Sequence, residues 1–142
     1  MYAVIRIRGT VSIAPEISTT LELLGLKRIS NLSVWQENEQ TKRMIMAVQD
    51  YVAFGNISEE VLKELITKKA TPIEEGAKID AKKVVEELKK GKTMNQVGIV
   101  NCFRMSPPRK GYERKGIKVP FVLGGASGNR KEKINDLIVR MM

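Results

Sequence analysis

Between Ser106 and Lys131 the chain reads SPPRKGYERKGIKVPFVLGGASGNRK, with three prolines, five glycines and seven lysines or arginines against one acid, Glu113. No long helix can cross this stretch: proline removes backbone donors, glycine makes ordering costly, and like charges repel. The regular structure of the chain must therefore come from the residues before it and from those after it. Folding alone gives no reason for such a segment. Its charge points to an anionic partner.

The residues before it carry clear periodicities. YAVIRIR (2–8) alternates, with Ala3, Ile5 and Ile7 on one side and Tyr2, Val4, Arg6 and Arg8 on the other, which predicts a half-buried strand with an arginine pair outside. Pro15 and Glu16 suit a first helical turn, Ile17, Leu21 and Leu24 make an apolar face, and Gly25 provides a stop. LSVWQ reads as a second strand, TKRMIMAVQDY as a second helix with Met44, Ile45, Val48 and Tyr51 inward, and YVAFGN as a third strand. The order is β-α-β-α-β, an α+β chain with a split βαβ core and helices on one face of a small antiparallel sheet.

Two short amphipathic helices of balanced charge follow, capped at Ser58 and Asp80. Near the end, PFVL reads as a strand, and Asn129 and Glu132 have the spacing of a capping box. Ile134, Leu137, Ile138 and Met141 then form the stripe of a helix that needs a surface to pack on.

The chain has 142 residues, of which 42% are apolar, enough for a core; its formal charge is +9 and its pI near 9.8. Residues 1–57 and 58–100 each carry a net charge of +1, whereas residues 101–142 carry +7. No apolar run approaches a membrane span, and MYAVIRIRGT lacks the layout of a signal peptide, so a cytoplasmic protein without a membrane partner is expected. With one cysteine, Cys102, and no histidine, neither an intramolecular disulfide, a Cys/His zinc site nor a histidine-based nucleophile can be assembled. Cys102 reads as a small core residue. No cofactor, small-molecule substrate or enzymatic activity is expected.

In RKGYERKGIK, five cations in ten residues repel one another in a free protein, and a polyphosphate backbone is the partner that relieves this. GGASGNRK, placed ahead of a helix, offers backbone N–H groups to an anion, or else is a turn into that helix. It does not match GxxxxGK[ST], so nucleotide hydrolysis is not supported. Aromatic residues make up only 5% of the chain, and Lys110-Gly111-Tyr112 does not continue as a single-strand RNA platform. Structured RNA, bound by shape and phosphate contacts, fits better than stacked bases.

FRMSPPRKG followed by GGASGNRKEKINDLIVRMM at the terminus, with IRIRGT, TLELLGLKRISNLSVW and MIMAVQDYVAFGNI in the first half, resembles large-subunit ribosomal protein thirty in its long archaeal and eukaryotic form, whose eukaryotic counterpart is numbered seven. The archaeal type is expected, since the chain starts directly on its first strand. The resemblance implies a ferredoxin-like core over 1–57, a helical insertion over 58–100 that the bacterial form lacks, and a basic extension over 101–142 with its terminal helix docked on the core. It implies a structural role in the large ribosomal subunit without enzymatic activity. The expected partners are large-subunit ribosomal RNA, with the small 5S RNA a further candidate, and neighbouring ribosomal proteins. A free-standing RNA chaperone or regulator is the alternative.

The candidate RNA contacts in the extension are Arg104, Arg109, Lys110, Arg114, Lys115, Lys118, Gly124, Gly125, Asn129, Arg130 and Lys131. Earlier in the chain they are Lys27 and Arg28 past the first helix, Lys42 and Arg43 in the second, and Arg6 and Arg8, whose spacing of roughly 6 to 7 Å on one strand face is comparable with that of neighbouring phosphates. The loop 107–117 is expected to have little to pack against.

Overall fold

The alternation at the N-terminus builds the centre of a sheet. The structure, a computed structural model, describes residues 1–73 and 79–142. Strand β1 (Tyr2–Arg6) pairs antiparallel with β2 (Asn31–Trp35) on one side and β3 (Val52–Asn56) on the other. Helices α1 (Pro15–Leu23) and α2 (Glu39–Ala47) make the two crossings, as the apolar spacing predicts. Later come α3 (Glu59–Lys69), α4 (Ala81–Lys89), β4 (Phe103–Arg104), β5 (Gly128–Asn129) and α5 (Ile134–Met141). The sheet order is β4-β2-β1-β3-β5, with β5 parallel to β3. The core is thus the expected ferredoxin-like α+β arrangement.

Each face of the sheet is covered by different parts of the chain. Val4, Val52 and Phe54 face Leu21, Leu24 and Leu26 from α1 and the turn after it, and Ile45 and Val48 from α2 and its end. On the other side Ala3, Ile5, Leu32, Val34 and Ala53 meet Leu62, Leu65 and Ile66 of α3, Val84, Val85 and Leu88 of α4, and Ile134, Leu137, Ile138 and Met141 of α5. The core helices therefore lie on one face, as expected, while α3, α4 and α5 cover the face they leave bare. A cross-link between exposed side chains, Lys89 Nζ to Glu59 Oε1 at 2.7 Å, joins α3 to α4.

Two-sided burial corrects the reading of β1. Arg6 does not lie outside: it is 2% exposed, because its side of the strand is roofed by the segment after α1. Its Nη1 donates to the carbonyls of Leu26 (2.7 Å) and Lys27 (3.1 Å), its Nε to Arg8 O (2.9 Å) and its Nη2 to Gly9 O (3.3 Å). A buried guanidinium needs this many acceptors, and here they are the carbonyls of two turns.

The end of the chain also differs from expectation. PFVL is not a strand; Phe121–Leu123 form a 3-10 turn, since Pro120 and Gly124 bracket too few residues for a ladder. The Asn129/Glu132 capping box does not form. Asn129 Oδ1 accepts from Lys131 N at 2.8 Å, a 3-10 turn occupies Lys131–Lys133, and α5 starts only at Ile134. Asn135 does the anchoring instead: its Oδ1 accepts from Ser58 N (3.0 Å) and its Nδ2 donates to Asn56 O (3.2 Å), tying α5 to the β3–α3 junction. Ser58 caps α3 as expected, its hydroxyl accepting from Val61 N, while the Asp80 side chain makes no cap and pairs with Lys83 at 3.2 Å. The close crossing requires Gly55, where a Cβ would overlap the Lys131 carbonyl oxygen.

Leu137 is completely buried between α5 and the sheet. Leu137→Ala is expected to lower stability by about 2–5 kcal/mol, read from the denaturant midpoint; an unchanged midpoint would mean that α5 does not hold the sheet face.

Candidate nucleic-acid interface

The register gathers charge at one end of the sheet. Arg6 pairs with Val52 and Asn31 with Arg104, so β1 and β4 end where β2 and β3 begin. Ser30 N donates to Arg6 O (2.9 Å) and Met105 N to Ser30 O (3.1 Å), which brings the turn after α1 against the start of the basic loop. These contacts bring Arg8, Lys27, Arg28 and Arg104 to the place where the loop bearing Arg109, Lys110, Arg114, Lys115 and Lys118 begins. Lys27, Arg28 and Arg104 line one open cleft with Leu23, Asn31 and Cys102. Arg8 lies over the Tyr51 ring at 4.7 Å and donates to Asp50 O at 3.4 Å.

Other sequence-predicted contacts lie apart. Lys42 and Arg43 follow the far end of β2, in the first turns of α2, where Arg43 pairs with Glu39. Lys131 follows β5, against Gly55. Asn129 is exposed, but its side-chain oxygen closes a turn. The glycines are not at a helix N-terminus, because β5 and a 3-10 turn intervene before α5. Gly124 is exposed beside the Lys115 side chain, whereas Gly125 is buried, and a Cβ there would overlap the Val119 carbonyl oxygen. Gly125 thus serves packing rather than approach to a phosphate.

Arg130 is the second correction. It is 2% exposed, with Nη1 and Nη2 donating to Glu113 Oε1 (2.6 Å) and Oε2 (2.5 Å), and with Nε and Nη2 donating to Ala126 O. Its guanidinium also lies 4.7 Å from the Phe121 ring centre. A bidentate pair of this geometry consumes the donors that a phosphate would need.

The basic loop is not short of packing. Ser106 N and Arg109 N donate to Met141 O and Arg140 O, while Gly111 N donates to Pro108 O and Gly116 N to Glu113 O. Ala126 N donates to Gly116 O, and Lys115 N to Gly124 O. Tyr112 and Ile117 pack against the main core. The Tyr112 hydroxyl is buried near Ser30, without a hydrogen-bond partner among the described residues, and burial pushes its pKa up. Sequence reasoning missed Glu113 and Arg140 as organisers of this loop; the available signal was a single acid among seven cations.

Cys102 is half-buried, and its sulfur accepts from Asn31 Nδ2 at 3.2 Å. Burial pushes its thiol pKa up, more than Arg104 and Lys27 pull it down, the opposite of an activated nucleophile.

Burial alone would raise the pKa of Glu113. The hydrogen bonds from Arg130 and its own backbone, with the charges of Arg130 and Arg140, more than offset this and hold the carboxyl below the usual range. With a depressed native pKa, its contribution to stability is complete above the unfolded-state value of about 4.3 and is lost as pH falls through the native one. The stability difference between wild type and Glu113→Gln is expected to be largest near neutrality and to shrink below about pH 4, measured by denaturant unfolding across pH.

Comparison with known proteins matches residues 2–52 to the family Ribosomal protein L30p/L7e. Over 99% of its length the chain is 39% identical to the large ribosomal subunit protein uL30 of Nanoarchaeum equitans, covering 97% of that protein. It is 36% identical to uL30 of Methanococcus maripaludis strain C5 over 99% of both chains, and 36% identical to that of Methanosphaera stadtmanae over 100% of both. The chain therefore belongs to the L30p/L7e family of ribosomal proteins, non-enzymatic and of the archaeal type.

Proposed function

We propose that this protein is a structural constituent of the large ribosomal subunit that binds ribosomal RNA through phosphate and shape contacts at the cationic end of its sheet. The observation that carries this reading is the partition of charge. Arg6, Arg130 and Glu113 are engaged inside the fold, while Lys27, Arg28 and Arg104 remain exposed at one sheet end, and Arg109, Lys110, Arg114, Lys115 and Lys118 remain exposed along the loop that starts there. A surface of this kind displaces counterions from a polyanion. Aromatic rings at this end are already occupied, Tyr51 beneath Arg8 and Tyr112 against the core, so stacking on bases has no free platform there. Duplex RNA read by shape and backbone contacts is the target that suits such a surface.

Lys42, Arg43 and Lys131 would form separate, weaker contacts on other parts of the subunit. Neighbouring ribosomal proteins are further partners, and the 5S RNA is a second RNA candidate. Chemical footprinting of both RNAs with and without the protein separates them, and comigration with the large subunit on a sucrose gradient checks the setting.

Replacing Arg109, Lys110, Arg114 and Lys115 together with Gln is expected to flatten the slope of log affinity against log salt by about three units, at roughly 0.7 to 0.9 per phosphate contact. Affinity for every structured RNA should fall together. A preserved salt slope with lost preference for ribosomal RNA would mean that the loop reads bases.

A further inference from the structure

The basic loop contains an acid where a polyanion-binding loop gains nothing from one. Glu113 stands between Tyr112 and Arg114, and on electrostatics alone it weakens attraction for phosphate. Its placement gives it another role. Besides the bidentate pair with Arg130, Oε1 lies 3.4 Å from Arg140 Nη2, and Arg140 Nη1 donates to Gly111 O at 3.2 Å. The two arginines come from elements outside the loop, Arg130 from the exit of β5 and Arg140 from the last turn of α5. The carboxylate therefore fastens the middle of the loop to both, and its own carbonyl accepts from Gly116 N at 2.9 Å, closing the turn that presents Arg114 and Lys115.

We infer that Glu113 is a positioning residue for RNA binding: by holding Arg130 and Arg140 it keeps the loop 107–118 in its binding shape, and so raises affinity for RNA despite its negative charge. The inference rests on the function proposed above. The physical basis is preorganisation. A run of mutually repelling cations on a Pro/Gly-rich backbone samples many shapes, and ordering it at the moment of binding would subtract from affinity. The clasp transfers that ordering to the folding of the protein. Arg130 cannot shed its charge when the carboxylate is lost, so the two residues act as one unit.

The two possible signs of the effect make a clean test. Binding of the whole chain to transcribed large-subunit ribosomal RNA is measured against salt for wild type, Glu113→Gln, the double variant Glu113→Gln/Arg130→Met, and the four-cation Gln variant. Glu113→Gln is expected to bind about tenfold more weakly, the scale of ordering a few side chains on binding, with the salt slope unchanged and faster amide exchange over 111–116. The double variant leaves no unpaired buried charge and regains stability. Its affinity is expected to stay low, because the loop is still unclasped. Equal or tighter binding by Glu113→Gln would overturn the inference, as would recovery of affinity along with stability in the double variant. Failure of the four-cation variant to lose affinity would instead refute the phosphate-binding loop, whatever Glu113 does.

Discussion

The structure depends on a sheet that is apolar on both faces. Three strands and two helices suffice for a β-α-β-α-β core, but α1 and α2 bury only the side carrying Val4, Val52 and Phe54. The side carrying Ala3, Ile5, Val34 and Ala53 would face water without the apolar stripes of α3, α4 and α5. Covering it requires the chain to return from its far end, and the return fixes everything else. Bringing α5 onto β3 adds β5 as a parallel edge, and it leaves the segment between β4 and β5 as a closed loop anchored at both ends.

That closure explains the sorting of charge. Arginines that meet backbone carbonyls or a carboxylate in a turn become part of the interior, as Arg6 and Arg130 do. Those on the outer side of the same turns stay free. The resulting cationic end is a property of the register, since the strand ends are in line, as much as of the number of basic residues.

The three central strands and the helices crossing them were legible because each is long enough for its period to show. The stripe of α5 was legible for the same reason. β4 and β5 have two residues each and carry no period, so only pairing with a neighbour defines them. Alternation reported the side on which Arg6 lies but not whether that side is covered, which depends on a turn about 20 residues away. The Glu113–Arg130 pair joins residues 17 apart across irregular backbone, where no spacing rule operates. The cationic loop was visible in composition, and its fastening was not.

The parallel pairing of β3 with β5 joins residues separated by more than half the chain. Synthesis proceeds from the N-terminus, so the loop emerges before the two arginines that clasp it and before the helix that covers the second sheet face. A chain stopped short of α5 carries an uncovered apolar sheet beside an unshaped cationic loop, the combination most prone to indiscriminate capture of polyanions and of other nascent chains. Completion of α5 converts this sticky intermediate into a molecule with one defined charged surface, so the shaping of that surface waits on a helix made after the loop it shapes.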